Sequence, residues 1–221
     1  MNSLLNKFGI FDIFSMLLPG LCLMFITRYL LPGSVTTFLS FYIEIDLFTI
    51  LIISYLLGVF LHEIGTIFDK KIMYKFLYGE DPRRLVLKKN VLYKGKPIEF
   101  LLAKKIKNIL LNDLDIQEHK ELTDYEMSEF IVCYCINVLD MNSLNGKTDK
   151  MLTISEMSRT LFIGCSILCL LQVFETDLIL LLVKSILLLV MSFVFLKRKQ
   201  RYEEYRIRIL LRSFMIFNNN K

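Results

Sequence analysis

The 221-residue chain contains no tryptophan, four prolines and nine glycines. Scarce Gly and Pro beside abundant bulky aliphatics exclude collagen-like, low-complexity and disordered classes. Catalytic patterns are absent as well: there is no phosphate-binding glycine loop, no nucleophile elbow and no closely spaced Arg and His of the ribonuclease kind. His62-Glu63-Ile64-Gly65-Thr66 opens like a zinc-protease helix, but the second His is missing, so two-His coordination is impossible. No enzyme activity, metal or cofactor is expected. Lys and Arg are also missing from two short stretches, 32–46 and 175–177, which carry Glu44, Asp46, Glu175 and Asp177 instead.

What the chain has is apolar residues in excess: 54% are hydrophobic, 18 are Phe, and the mean hydropathy is +0.50. They are gathered into long uncharged runs rather than scattered periodically, which excludes an ordinary soluble domain. Runs near 11–31, 47–68, 158–174 and 178–196 can cross a hydrocarbon core about 30 Å thick at about 1.5 Å per residue. The first holds Pro19-Gly20 at its middle, where a kink is expected and neighbouring helices must satisfy the freed carbonyl. Thr153-Ile154-Ser155-Glu156 reads as a capping box that starts the third helix just before its span.

Lys and Arg number 15 in 69–157 and eight in 197–221, so the large loop and both termini are expected on the cytoplasmic side. A single early Lys7, an early Asp12 and no small-residue cleavage site predict that the first span is retained. The expected fold is an all-α membrane protein: four transmembrane helices with a small, mainly helical cytoplasmic domain between the second and third. The divisions fall at 1–68, 69–157, 158–196 and 197–221. Five cysteines, Cys22, Cys133, Cys135, Cys165 and Cys169, read as small packing residues.

Within 69–157 the patterning predicts a helical continuation over 69–79, a hairpin or extended arm around Leu85-Val86-Leu87 and Val91-Leu92-Tyr93, and helices over 98–112 and 124–140. Thr123-Asp124-Tyr125-Glu126 forms a capping box at the start of the last. Asp113, Asp115, Gln117, Glu121 and Asp124 mimic calcium-loop spacing, but Glu118 stands where a turn-forming Gly is required, so an acidic interhelical loop is expected. Charge is divided: 69–107 holds twelve Lys and Arg against four acids, whereas 108–157 holds three against ten. Arg83, Arg84, Lys88, Lys89, Lys104 and Lys105, with Arg198 and Arg201 of the tail, then form either a surface for anionic headgroups or an acidic partner, or a topogenic signal with solvated helix faces. The acidic half weighs against nucleic-acid binding. The tail alternates cationic and apolar residues, which suits a helix on the membrane surface or on the cytoplasmic domain.

Ionisable residues inside spans are costly and point to function. Ser54, Gly58, His62, Gly65 and Asp69 share one narrow helix face, Ser54-xxx-Gly58 allowing close helix approach. Asp12, His62, Glu63 and Arg159 are expected to form an intramembrane polar cluster, either as glue fixing helix register or as a proton-sensitive gate through His62. Lys184 lies about two turns inside the outer end of the fourth span and either snorkels outward or rings a pore in an oligomer. Arg28 is expected to meet Glu44 or Asp46.

Phe11-Asp12-Ile13-Phe14 before Leu18-Pro19-Gly20, Ser54-Tyr55-Leu56-Leu57-Gly58 to His62, Ser158-Arg159-Thr160-Leu161-Phe162 and Arg201-Tyr202 through Leu211-Arg212 resemble small four-span bacterial membrane proteins of antiphage defence loci. The Kiwa membrane subunit and accessory membrane proteins of type VI, RNA-targeting CRISPR systems are such proteins. The resemblance covers the spans and not the cytoplasmic segment. It implies a homo-oligomer in the inner membrane that senses infection and signals to a cytosolic effector, or that itself permeabilises the membrane.

Overall fold

The computed structural model describes residues 13–30, 46–88, 92, 97–113 and 123–219. They are helical, with no strand among the described residues. A π-helical turn, Ile13–Leu17, leads into α1 (Leu18–Leu30). After α2 (Leu47–Phe68) come a second π turn, Asp69–Met73, the short α3 (Tyr74–Tyr78) and a 3-10 turn, Pro82–Leu85. Then follow α4 (Pro97–Asp113), α5 (Asp124–Met141), α6 (Gly146–Leu171), a 3-10 turn Gln172–Phe174, and α7 (Leu178–Asn219). Three helical stretches, beginning at Leu47, Gly146 and Leu178, are long and apolar enough to cross a membrane, and Ser15–Thr27 is a shorter apolar helix.

The chain divides into two compact units, 1–68 with 153–200 and 69–152 with 201–221. The boundaries lie four to five residues from the sequence divisions at 157/158 and 196/197, and the tail joins the unit built by 69–152 instead of standing apart. Both α6 and α7 run unbroken through a unit boundary.

In the first unit, α1 and α2 touch backbone to backbone. A Cβ at Gly20 would collide with the Ser54 carbonyl, and one at Gly58 with the Met16 carbonyl. Glycine is therefore required at both positions for close approach. Leu23, Leu61, Leu161, Leu168 and Leu188 form the apolar core around this contact. Pro19 cannot donate to the carbonyl four residues back, that of Ser15, and its ring crowds it. The π turn widens the backbone there, and the Thr160 hydroxyl of α6 donates to the Ser15 carbonyl at 3.4 Å. At the other end of α1, the buried Gln172 amide donates to the Leu30 carbonyl at 2.9 Å, serving one of the carbonyls a helix end leaves open. Ser166 and Ser192, 3.0 Å apart, link α6 to α7.

In the second unit, apolar residues recur at helical spacing on three helices: Ala103, Ile106 and Leu110 on α4, Ile131, Cys135 and Leu139 on α5, and Ile207, Leu210, Leu211 and Phe214 on α7. Each is buried, at about 1.5–3 kcal/mol for a fully buried large aliphatic side chain. Burial pushes the Cys135 thiol up to about 12, which leaves it inert. The tail helix thus lies on this core. The Thr123–Glu126 capping box starts α5: Thr123 Oγ1 accepts the Glu126 N–H at 3.4 Å and the Glu126 carboxylate accepts the Thr123 N–H at 3.0 Å.

Two local expectations are corrected. Leu85 ends a 3-10 turn and Val86-Leu87 continue as a turn, not as a strand; Val91 and Tyr93 lie outside the described residues. Thr153–Glu156 is not a helix start, because α6 has already begun at Gly146, where the Asn145 carbonyl accepts the Asp149 N–H at 3.0 Å and the Thr148 hydroxyl at 2.7 Å.

Two measurements follow. Gly58→Leu is expected to abolish the folded peak of the detergent-solubilised chain on size exclusion, whereas Gly146→Ala, with open space around it, should leave the melting temperature unchanged or raised. A wild-type profile for Gly58→Leu would refute the backbone contact. The second concerns Asp81, whose carboxyl is raised by burial but lowered more by Arg83, the net shift being downward. Its contribution is present above the ordinary aspartate value of about 3.9 and is lost as pH falls through the lowered value. Asp81→Asn should flatten that acid decline in denaturation curves of the full chain.

Candidate functional site

The densest set of buried ionisable groups in the first unit lies between α2 and α6. Arg159 is 4% exposed. Its guanidinium pairs with the Glu156 carboxylate one turn earlier on α6, and its Nη2 lies 3.2 and 3.1 Å from Nδ1 and Nε2 of His62 on α2. His62 Nδ1 is 3.9 Å from Glu156 Oε2. The helix periodicity explains the assembly. On α6, residues three apart share a face; on α2, Gly65 lies one turn beyond His62, and a Cβ there would press on the Arg159 side chain at 3.0–3.1 Å. Gly65 leaves the passage through which the arginine reaches the imidazole.

Ser54 meets α1 and Gly58 the π turn before it, while His62 and Gly65 meet α6, so one face of α2 serves two neighbours. Asp69, also buried, belongs to the second unit. Glu63 does not join the cluster: it is exposed, and Glu156 supplies the carboxylate. The reason is angular, since Glu63 follows His62 by about 100° around α2. Asp12 and Glu44 lie outside the described residues, as does the side chain of Arg28; Asp46 accepts the Thr49 N–H at 3.3 Å at the start of α2. Lys184 pairs with Glu175 at 2.5 Å, side chains 16% and 8% exposed, so within one chain it has a counter-ion.

Five cations of the charge-divided segment are engaged within the second unit. Arg83 binds Asp81 at 2.7 Å, Arg84 binds Glu129 at 2.9 Å, and Lys107 binds Asp124, of the supposed calcium template, at 3.4 Å. Lys88 meets the Tyr125 hydroxyl, and Lys104 sits 5.1 Å over the Phe100 ring. Arg212 of the tail reaches buried Glu99 at 2.7 Å. Lys105, Arg198 and Arg201 are exposed, and Lys89 lies outside the described residues.

Sequence reasoning missed Glu156 because the same four residues read as a helix cap. The i, i+3 spacing to Arg159 was the available signal. Chemically the cluster offers one carboxylate and one guanidinium that neutralise each other, with one imidazole beside them. No group of three His, Cys, Asp or Glu able to hold a metal occurs among the described residues. No protein-family model, curated protein or solved structure matches the chain.

Removing one partner of a buried pair strands the other. Glu156→Gln and Arg159→Met are each expected to destabilise by about 3–5 kcal/mol, the double variant by clearly less than their sum. Glu63→Gln should cost nothing measurable. Thermal unfolding in detergent checks the cycle, and additive single effects would contradict the pairing.

Proposed function

We propose that the chain is an inner-membrane subunit of a bacterial antiphage defence system, an oligomeric sensor or scaffold that presents its polar unit to a cytosolic effector. On this reading four helices span the membrane, α1, α2, the apolar part of α6 and the first half of α7, with both termini and the second unit cytoplasmic. The observation that carries it is the second unit itself: 69–152 and the tail build a separate core, closed by their own ion pairs, between helices whose surfaces stay apolar. A mere connector between spans needs no core.

Support for the membrane comes from α7, where Leu178, Ile179, Val183, Ile186 and Phe193 are all exposed. An apolar surface of that extent requires lipid or protein cover. The defence setting is supported by the sequence resemblance. The alternative, a pore-forming effector, draws on intramembrane His62, Glu63 and Lys184, and the pairing of Lys184 with Glu175 within the chain speaks for the scaffold.

The test uses cells that carry the chain in its native locus. Leu211→Asp, which puts a charge in the core of the second unit, should abolish phage protection while the protein remains in the membrane fraction. Undiminished protection by that variant, or single-channel currents from the purified full-length chain in planar bilayers, would contradict the scaffold reading.

A further inference from the structure

The second unit contains a cavity of about 380 Å³ whose walls come from one short stretch of chain. Lys70, Lys71, Tyr74 and Lys75 line it from before Gly79 in the chain, and Glu80, Asp81 and Arg84 from after it. Gly79 makes the cavity: its left-handed backbone, φ 79°, ends α3 and turns the chain back, with its N–H donating to the Lys75 carbonyl at 3.0 Å. The two walls differ in how their charges are used. Asp81 accepts four hydrogen bonds from Arg83 side-chain and backbone nitrogens at 2.7–3.2 Å, and Arg84 is held by Glu129 at 2.9 Å with Glu80 at 3.8 Å. Lys70, Lys71 and Lys75 are exposed and have no ion pair among the described residues. Three lysines without an ion pair and a tyrosine therefore line a space within the range of small-ligand sites.

We propose that this cavity binds a phosphate-bearing headgroup, that of an anionic phospholipid. The shared chemistry, a phosphate oxyanion, could be offered by a lipid or by free phosphate, and the surroundings favour the lipid. Ile72 and Phe76 are 51% and 83% exposed, one helical turn apart, alternating with Lys71 and Lys75. Exposed apolar residues interleaved with lysines are the pattern of an interfacial helix, in which the rings enter the acyl boundary and the ammonium groups meet phosphates. Lys70 follows the last residue of apolar α2 by two positions, which is where basic residues read the headgroups of the cytoplasmic leaflet. These lysines are not those of the broad basic surface expected from sequence, four of whose eight cations, Arg83, Arg84, Lys88 and Lys104, have partners inside the unit.

The inference rests on the membrane reading above, and the experiment separates the two. Full-length chain in mixed micelles is titrated with phosphatidylglycerol or phosphatidylcholine, and bound lipid is counted by native mass spectrometry. Phosphatidylglycerol should bind more tightly, and Lys70→Gln/Lys71→Gln/Lys75→Gln should weaken it by about tenfold or more, since each surface lysine contributes about 1 kcal/mol. Lys147→Gln/Lys150→Gln, on exposed positions outside the cavity, should bind as wild type. Equal binding of the two lipids, or an unaffected first variant, overturns the proposal. Displacement of the lipid by an equal concentration of inorganic phosphate would overturn the lipid assignment in favour of a soluble phosphate. Carbonate extraction of native membranes gives the second readout: release of the chain refutes the membrane reading, whereas retention with indifferent lysines refutes the cavity alone.

Discussion

A charge that enters apolar surroundings must bring its counter-charge with it, and the first unit is organised by that requirement. Arg159 is buried, so Glu156 stands one turn away, His62 faces both, and Gly65 is a glycine to let the side chain pass. The same rule applied to uncharged groups accounts for Thr160 on the Ser15 carbonyl and Gln172 on the Leu30 carbonyl. These contacts tie α6 to α1 and α2 without adding much to net stability, because pairing mostly offsets desolvation. Their effect is on register: a helix slid or turned by one residue would strand a charge or a carbonyl.

The second unit solves a related problem on a larger scale. Its sequence is split into a basic and an acidic half, and folding brings cations of the first against acids of the second, Arg84 to Glu129 and Lys107 to Asp124. The tail is the third partner, contributing Leu210, Leu211 and Phe214 to the core and Arg212 to Glu99. The unit is thus assembled from two segments separated in the chain by the 48 residues 153–200 of the first unit.

Much of this was legible in the sequence where a signal is local. The period of 3.6 located α4 and α5 within one residue at each end, and the Thr123–Glu126 pattern marked the start of α5 because both partners of that cap lie within four residues. Local patterns also misled. Thr153–Glu156 satisfies the same pattern, yet Glu156 serves Arg159, and a cap pattern carries no information on whether the helix has already begun. Leu85-Val86-Leu87 is apolar because it enters a helical core, not because it is a strand. What the sequence could not rank was which cations are engaged: Arg83, Arg84 and Lys88 look as available as Lys70, Lys71 and Lys75 until their partners are located. The choice left open for the tail, membrane surface or domain, needed the long-range contacts of Ile207 to Met215.

On the proposed reading the polar unit, folded on its own core, lies at the cytoplasmic face of a membrane, and its two neighbouring cysteines report on both parts. Cys133 is exposed, while Cys135 is buried with its thiol pushed up to about 12. Spheroplasts treated with a membrane-impermeant maleimide, before and after permeabilisation, and read by mass spectrometry of the peptide holding both residues, should show no label and then one, on Cys133. Labelling in intact spheroplasts, or labelling of Cys135 alongside Cys133 after permeabilisation, would contradict the account.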